Sequence, residues 1–170
     1  MKKIILIVGA SGVGKDTLLK SIKDKTDINF VKRYITRVPD ENEHNYYIDD
    51  EAFEKLKQED FFISTWEAHT NKYAIAKSQI KEGVNLISIS RSTIKDFENY
   101  FDDVTTIEVT LPKDILYQRL KNRGRENEEQ IQNRLNRSYN TIKAKHIIQF
   151  DNSSSIDESS KKFIQLLKNI

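Results

Sequence analysis

The chain has 170 residues, 37% apolar and 32% charged, and its 28 lysines and arginines against 26 aspartates and glutamates leave a formal charge of +2. That length suits one domain with a full core. The balanced charge argues against a nucleic-acid partner, and the absence of cysteine excludes disulfides and thiol chemistry.

No apolar run reaches the length of a membrane span, and the short run behind Lys2-Lys3 carries no small-residue cleavage site. The sequence therefore predicts a cytoplasmic protein without a membrane partner. Residues 4–8 form an apolar, mostly β-branched run, which predicts a buried strand over 3–8. The run leads straight into Gly9-Ala10-Ser11-Gly12-Val13-Gly14-Lys15-Asp16-Thr17, a G-x-x-x-x-G-K pattern ahead of a predicted helix over 15–23. In that setting the glycines let backbone N–H groups turn inward around phosphate oxygens. Lys15 adds a point charge for the β- and γ-phosphates, and the helix start adds its partial positive charge. A loop of this kind holds a nucleoside triphosphate. The hydroxyl that usually follows the lysine stands one place later, at Thr17, behind Asp16.

Further on, residues 29–35 predict a second strand, 38–42 a turn and 46–48 a short strand. Asp49-Asp50-Glu51 predicts the start of a helix reaching 57, with Phe53 and Leu56 on one face. Residues 61–66 read as extended, 74–82 as a short helix stopped at Gly83, 84–90 as a buried strand, 92–100 as a helix and 104–111 as a core strand. Pro112 opens a helix to residue 122, and 127–145 reads as a long polar helix. Residues 146–150 predict the last strand, Asn152-Ser153-Ser154-Ser155 a loop and 156–168 the last helix. Strands alternating with helices predict a three-layer α/β fold in one domain, 1–170, with a central parallel sheet and ligands at the strand C-termini.

Two constellations carry chemistry. Arg33 and Arg37 lie four apart beside a predicted strand end, and two guanidiniums suit a substrate phosphate. The bland alternative is a solvated pair. Arg119, Arg123, Gly124, Arg125, Glu126, Arg134 and Arg137 make a glycine-broken, arginine-dense joint between two helices. Such a lid neutralises a phosphoryl group in transfer and excludes water. The alternative there is a salt-bridged helix using Glu126, Glu128 and Glu129. His44, His69 and His146 lack metal-ligand spacing. Trp66 and Tyr73 are of a type to stack on a sugar or base, although Trp66 suits a core equally well.

Over nearly its whole length the chain resembles the guanylate kinase superfamily of P-loop kinases. The likeness lies in the phosphate loop, Thr36-Arg37, the aromatic stretch near Tyr73, and the Arg-Gly-x-Glu lid with Arg134-Leu135. Within that superfamily it resembles more closely the ribose 1,5-bisphosphate phosphokinases. Their pattern of G-x-S-G-x-G-K-D, R-Y-I-T-R, S-W-x-A, G-S-R and R-x-x-N-R-G-R-E-N stands here at residues 9–16, 33–37, 65–68, 89–91 and 119–127. Compared with guanylate kinases, Asp40 replaces a second phosphate-reading arginine and Ser64 a guanine-reading glutamate. Ser88-Ile89-Ser90-Arg91 replaces an acidic D-x-D segment. A site built to hydrogen-bond guanine loses selectivity without those groups, and an added arginine suits a more anionic acceptor. Thr65, Ala74 and Ile89 also depart from the phosphokinase pattern, in the region that would shape the acceptor pocket.

The resemblance implies a P-loop NTPase fold with a small acceptor-binding insertion over residues 33–82 and an arginine-rich lid over 123–137. It implies ATP and Mg²⁺ as cofactors, and phosphorylation of ribose 1,5-bisphosphate to 5-phospho-α-D-ribose 1-diphosphate. Gly9, Ala10, Ser11, Gly12, Val13, Gly14, Lys15, Asp16, Thr17, Arg119 and Asn152 would hold ATP, with Asp16 or Thr17 at the metal. Arg33, Arg37, Glu43, Tyr73, Arg91, Arg125 and Arg137 would hold the acceptor, and Lys15, Arg123 and Arg134 would serve the transferring group. The alternatives are a nucleoside monophosphate kinase such as guanylate kinase, or a non-catalytic guanylate-kinase-like module. A GTPase is disfavoured because no N-K-x-D segment is present. The expected partners are small molecules, and a homodimer is left open.

Overall fold

A computed structural model describes residues 1–39 and 45–170. The chain divides into two compact units. One holds Met1–Leu6, Ile28–Thr106 and Ala144–His146. The other holds Ile7–Asp27, Ile107–Lys143 and Ile147–Ile170. The division cuts through two core strands, β1 (Lys2–Val8) and β8 (Val104–Thr110). With β2 (Asn29–Phe30), β7 (Gly83–Ser88) and β9 (Ile147–Asp151) they form a five-stranded sheet in the order β2-β7-β1-β8-β9. Ile4 to Val8 are all fully buried, which accounts for an apolar run without alternation: both faces of β1 are covered.

The first unit also carries a four-stranded sheet, order β4-β3-β6-β5, built from β3 (Tyr34–Ile35), β4 (Tyr46–Tyr47), β5 (Phe62–Ala68) and β6 (Asn71–Ala76). Phe53 from α2 (Asp50–Gln58) packs with Ile48, Phe62, Ala74 and Ala76 to form this sheet's own small core. Asp49 starts α2 by accepting from the Ala52 N–H at 2.7 Å. A helix α3 (Ile94–Tyr100) follows a single 3₁₀ turn over Arg91–Thr93.

Two expectations fail in this unit. The strand expected over 29–35 is two short strands in different sheets. The Val31 N–H bonds Leu86 O beside β7, whereas Tyr34 and Ile35 pair with Ala74 and Tyr73 of β6. The helix expected over 74–82 is instead the end of β6 followed by a 3₁₀ turn, Lys77–Gln79. Ala74, Ile75 and Ala76 are wholly buried, and Ala74 lies between partners on β3 and β5, so tertiary pairing overrides the helical preference of alanine. The hairpin that makes this possible turns at His69 and Thr70, both at positive φ.

In the second unit α1 (Lys15–Ile22) packs against α6 (Ile156–Asn169), and α4 (Lys113–Arg123) against α5 (Glu128–Ser138). Phe163 of α6 meets Phe150 of β9 edge-on at 4.9 Å. Asn127 and Gln130 form a reciprocal capping box at the start of α5. The long helix expected over 127–145 ends at Ser138, whose hydroxyl donates back to Arg134 O at 2.7 Å, a bond that competes with the helical ladder. Tyr139 then anchors the chain by donating its hydroxyl to Leu111 O at 2.7 Å. Among the described residues no helix is long and apolar enough to cross a membrane.

Candidate active site

The phosphate loop lies in the second unit and is set by two glycines. Gly12 and Gly14 have φ of 98° and 82°, a region that costs other L-residues about 1–2 kcal/mol. Gly14 is the N-cap of α1 and supplies no side-chain cap, so the first-turn N–H groups are not closed off by a side chain of their own helix. That is the arrangement an anionic phosphate completes.

Other segments clamp the loop from behind. The buried Asn152, just after β9, donates its amide to Val13 O at 2.8 Å and its backbone N–H to Thr110 O at 2.9 Å. Arg119 of α4 reaches Gly12 O at 3.4 Å. A Cβ on Gly14 would lie 2.9 Å from Asn152 Nδ2 and 3.3 Å from Arg119 Nη1. A Cβ on Gly12 would lie 3.3 Å from both Leu116 and Leu120 and 3.9 Å from Arg123 Nη1. Four of the sequence-derived contacts, the loop, Arg119, Asn152 and Arg123, are thus gathered in one place. Lys15, Asp16 and Thr17 open α1, the last two with exposed side chains.

In the lid segment, Glu126 is the hub. Its carboxylate takes a two-pronged pair from Arg134, Nη2 to Oε1 at 2.8 Å and Nε to Oε2 at 2.9 Å. Arg123 stands off at 3.7 Å from the same carboxylate. Fork-to-carboxylate pairs of this kind are about twice as strong as neutral hydrogen bonds. The salt-bridged alternative weighed from the sequence therefore describes Arg134, while Arg123 is held more loosely. Arg125 and Arg137 are exposed. The Gln132 amide and then the Tyr117 hydroxyl hold the Glu128 carboxyl below its usual range.

The acceptor candidates of the first unit are carried by the small sheet. Trp66 and Tyr73 are register partners and stack at 5.5 Å, 8° from parallel. The Arg33 guanidinium lies 5.7 Å from the Tyr73 ring centre, and its Nε donates to Asn45 Oδ1 at 3.4 Å. A cation just ahead of β3 and two aromatic rings on β6 and β5 therefore form a row. Thr36 ties β3 to β6 by bonds to Lys72 in both directions, at 3.1 and 2.9 Å, and Arg37 follows it, exposed. Half-buried Arg91 opens the 3₁₀ turn after β7. Ser64 is buried and donates its hydroxyl to Asp96 at 2.5 Å. Glu43, Asp40, His44 and most of the turn expected over 38–42 lie outside the described residues.

Sequence reasoning missed Asn45, and it placed Glu126 in the lid motif, or in a salt-bridged helix, without identifying Arg134 as its partner. For Asn45 no local pattern points to Arg33. For Glu126 the signal is its place directly after the Arg-Gly-Arg run.

Comparisons with known proteins bear on the family and the fold. A family model described as an AAA domain matches residues 5–140. The chain is 30% identical over 175 residues to the ribose 1,5-bisphosphate phosphokinase PhnN of Bradyrhizobium diazoefficiens, covering 98% of this chain and 88% of that protein. To the enzyme of the same name from Rhizobium etli it is 33% identical, covering 96% and 88%. Among solved structures, guanylate kinase from Anaplasma phagocytophilum superposes with a TM-score of 0.67 at 18% identity, over 99% of this chain and 85% of that one. That likeness establishes the fold, a central parallel sheet with flanking helices behind a P-loop.

Proposed function

This chain belongs to the ribose 1,5-bisphosphate phosphokinase family, and we propose that it transfers the γ-phosphoryl group of ATP to the 1-phosphate of ribose 1,5-bisphosphate. The products are ADP and 5-phospho-α-D-ribose 1-diphosphate. The observation that carries the donor half is the uncapped start of α1, backed by Asn152 and Arg119. In the acceptor half, the hydroxyl at the position aligned with a guanine-reading group is already given to Asp96. An oxygen of the 1-phosphate attacks the γ-phosphorus while the bond to the β–γ bridging oxygen breaks. That attacking oxygen is ionised at neutral pH, so no general base is required, and catalysis consists of positioning and charge neutralisation.

In this assignment Gly9 to Thr17 cradle the triphosphate, with Lys15 supplying the cation nearest the β- and γ-phosphates. Arg119 and Asn152 fix the loop. Arg123 delivers charge to the moving group, and Arg134, paired with Glu126, braces the lid. Arg33, Arg37, Glu43, Tyr73, Arg91, Arg125 and Arg137 serve the acceptor phosphates. Asp16 and Thr17 would hold Mg²⁺. One carboxylate and one hydroxyl suit an ion that takes its remaining ligands from phosphates and water, and among the described residues no three-residue acidic or histidine cluster offers a dedicated cage. When bound, the ion would supply charge neutralisation to the phosphates. The assignment treats residues 33–82 as the acceptor region and 123–137 as the lid of one kinase domain.

A coupled ADP-release assay with ribose 1,5-bisphosphate, GMP and AMP tests the reading. The bisphosphate is expected to be the preferred acceptor by at least tenfold in kcat/KM. Preference for GMP would replace it with a guanylate kinase, and absence of ATP binding by calorimetry would replace it with a binding module.

A further inference from the structure

The second unit contains a cavity of about 270 Å³ beside the phosphate loop, lined by residues that the phosphoryl transfer leaves unused apart from Ala10 and Val13. Glu108 and Thr110 of β8 and Gln149 of β9 supply its polar side. Val13, Leu116 and Ile142 supply its apolar side, and Tyr139, itself exposed, lines its open rim and donates its hydroxyl to Leu111 O. Burial pushes the Tyr139 hydroxyl up from its ordinary value, with Asp114 adding to the effect.

Glu108 is only 8% exposed, and its carboxylate accepts from the Gln149 amide at a long 3.2 Å. Among the described residues, no lysine, arginine or histidine lines the cavity. A carboxylate withdrawn from water is costly unless a cation or several donors compensate it. One neutral amide does not, and the unused lone pairs call for N–H donors carrying positive charge. The space is several times that of one water, about 30 Å³, so a bare ion would rattle in it. The apolar walls suit a short carbon chain.

We propose that this cavity binds a small organic ammonium ion, its N–H groups on the Glu108 carboxylate and its carbon body against Val13, Leu116 and Ile142. The site is separate from the phosphate cradle but shares Val13 with it, the residue whose carbonyl Asn152 holds.

The test uses the full chain and n-propylammonium as probe, read by calorimetry and by thermal unfolding at fixed ionic strength. Potassium and n-propanol are the comparison arms. Saturable stabilisation by n-propylammonium beyond both, weakened at least tenfold in Glu108→Gln, is the expected result. Equal stabilisation by potassium would overturn the organic ligand in favour of an inorganic cation. An unchanged response in Glu108→Gln, or no saturable response in the parent chain, would overturn the site. Ile142→Phe adds bulk to the apolar lining while leaving Glu108 unchanged, and is expected to weaken the probe as well. If Glu108→Gln fails to fold, an undiminished response in Ile142→Phe overturns the proposal.

Discussion

The phosphate loop and the small four-stranded sheet are assigned the same task, holding phosphate, and they are built in opposite ways. The loop works with backbone. Two glycines at positive φ and an uncapped helix start present the N–H groups, Asn152 and Arg119 hold loop carbonyls, and Lys15 is the side-chain cation proposed for the phosphates. The sheet works with side chains, a row of Trp66, Tyr73 and Arg33 set by strand register. A backbone site tolerates few changes because each one alters the path of the chain. A side-chain site can exchange one acceptor for another while the fold persists. That is the physical reason a common fold can hold the donor constant and vary the acceptor.

The sharpest way to break this comparison is a pair of charge deletions. Lys15→Ala should lower kcat/KM by about 10³-fold, the scale of removing a charge-stabilising group from a transfer site. Arg37→Ala should raise the acceptor KM and leave ATP affinity nearly unchanged. Calorimetry with ATP and initial rates against both substrates decide it, and equal loss of ATP affinity in the two variants would contradict the division of labour.

Next in size is Gly14→Ala. The new Cβ would meet Asn152 Nδ2 at 2.9 Å in a left-handed backbone, and together these should cost about 1–3 kcal/mol. A lower unfolding midpoint together with weakened ATP binding is expected. If both are unchanged, the loop is less determined by backbone than the glycine geometry implies.

These differences also explain what could be read from the amino acids alone. Gly12, Gly14 and Lys15 are legible because their conformations and charge admit few other residue types. The run 4–8 is legible because a strand buried on both faces needs unbroken apolar residues. The end of β6 is not legible. Ala74 to Ala76 have helical composition, and the turn that returns the strand uses His69 and Thr70, residues that do not advertise positive φ. Strand 29–35 hides its division because changing sheets leaves no composition mark. The arginine-rich joint is visible as a cluster, but only geometry separates Arg134, gripped by Glu126, from the looser Arg123. The row of Arg33, Tyr73 and Trp66 depends on pairings between residues up to 40 positions apart, which periodicity cannot supply.

A smaller effect sharpens the acceptor side. Tyr73→Leu removes the ring beneath Arg33, and a partly exposed cation–π contact is worth about 0.5–1 kcal/mol. The acceptor KM should therefore rise by about two- to fivefold, with the KM for ATP unchanged. Tyr73→Phe keeps the ring and should restore the KM if the ring orients Arg33. If Phe behaves like Leu, the hydroxyl itself contacts the acceptor and Tyr73 is a direct ligand.

The smallest expected effect is a pH dependence on the donor side. The Ser153 hydroxyl and then its backbone N–H, the latter at 2.8 Å, hold the Asp151 carboxyl below its ordinary range. A carboxyl depressed in the folded chain stabilises it fully above the unfolded value, about pH 4, and loses that contribution as pH falls through the folded value. Asp151→Asn removes the titration, so parent and variant should converge in unfolding midpoint on the acid side of pH 4 and differ slightly at neutrality. Asp151 is exposed, and water screens its interactions, so the neutral difference should be only about a degree. Asp151 also precedes Asn152, which clamps the phosphate loop. If the Asp151–Ser153 turn sets that clamp, Asp151→Asn will weaken ATP binding at neutral pH by more than so small a stability change can explain. If ATP binding is untouched, Asn152 is held by its own two bonds and the loop needs no help from the turn.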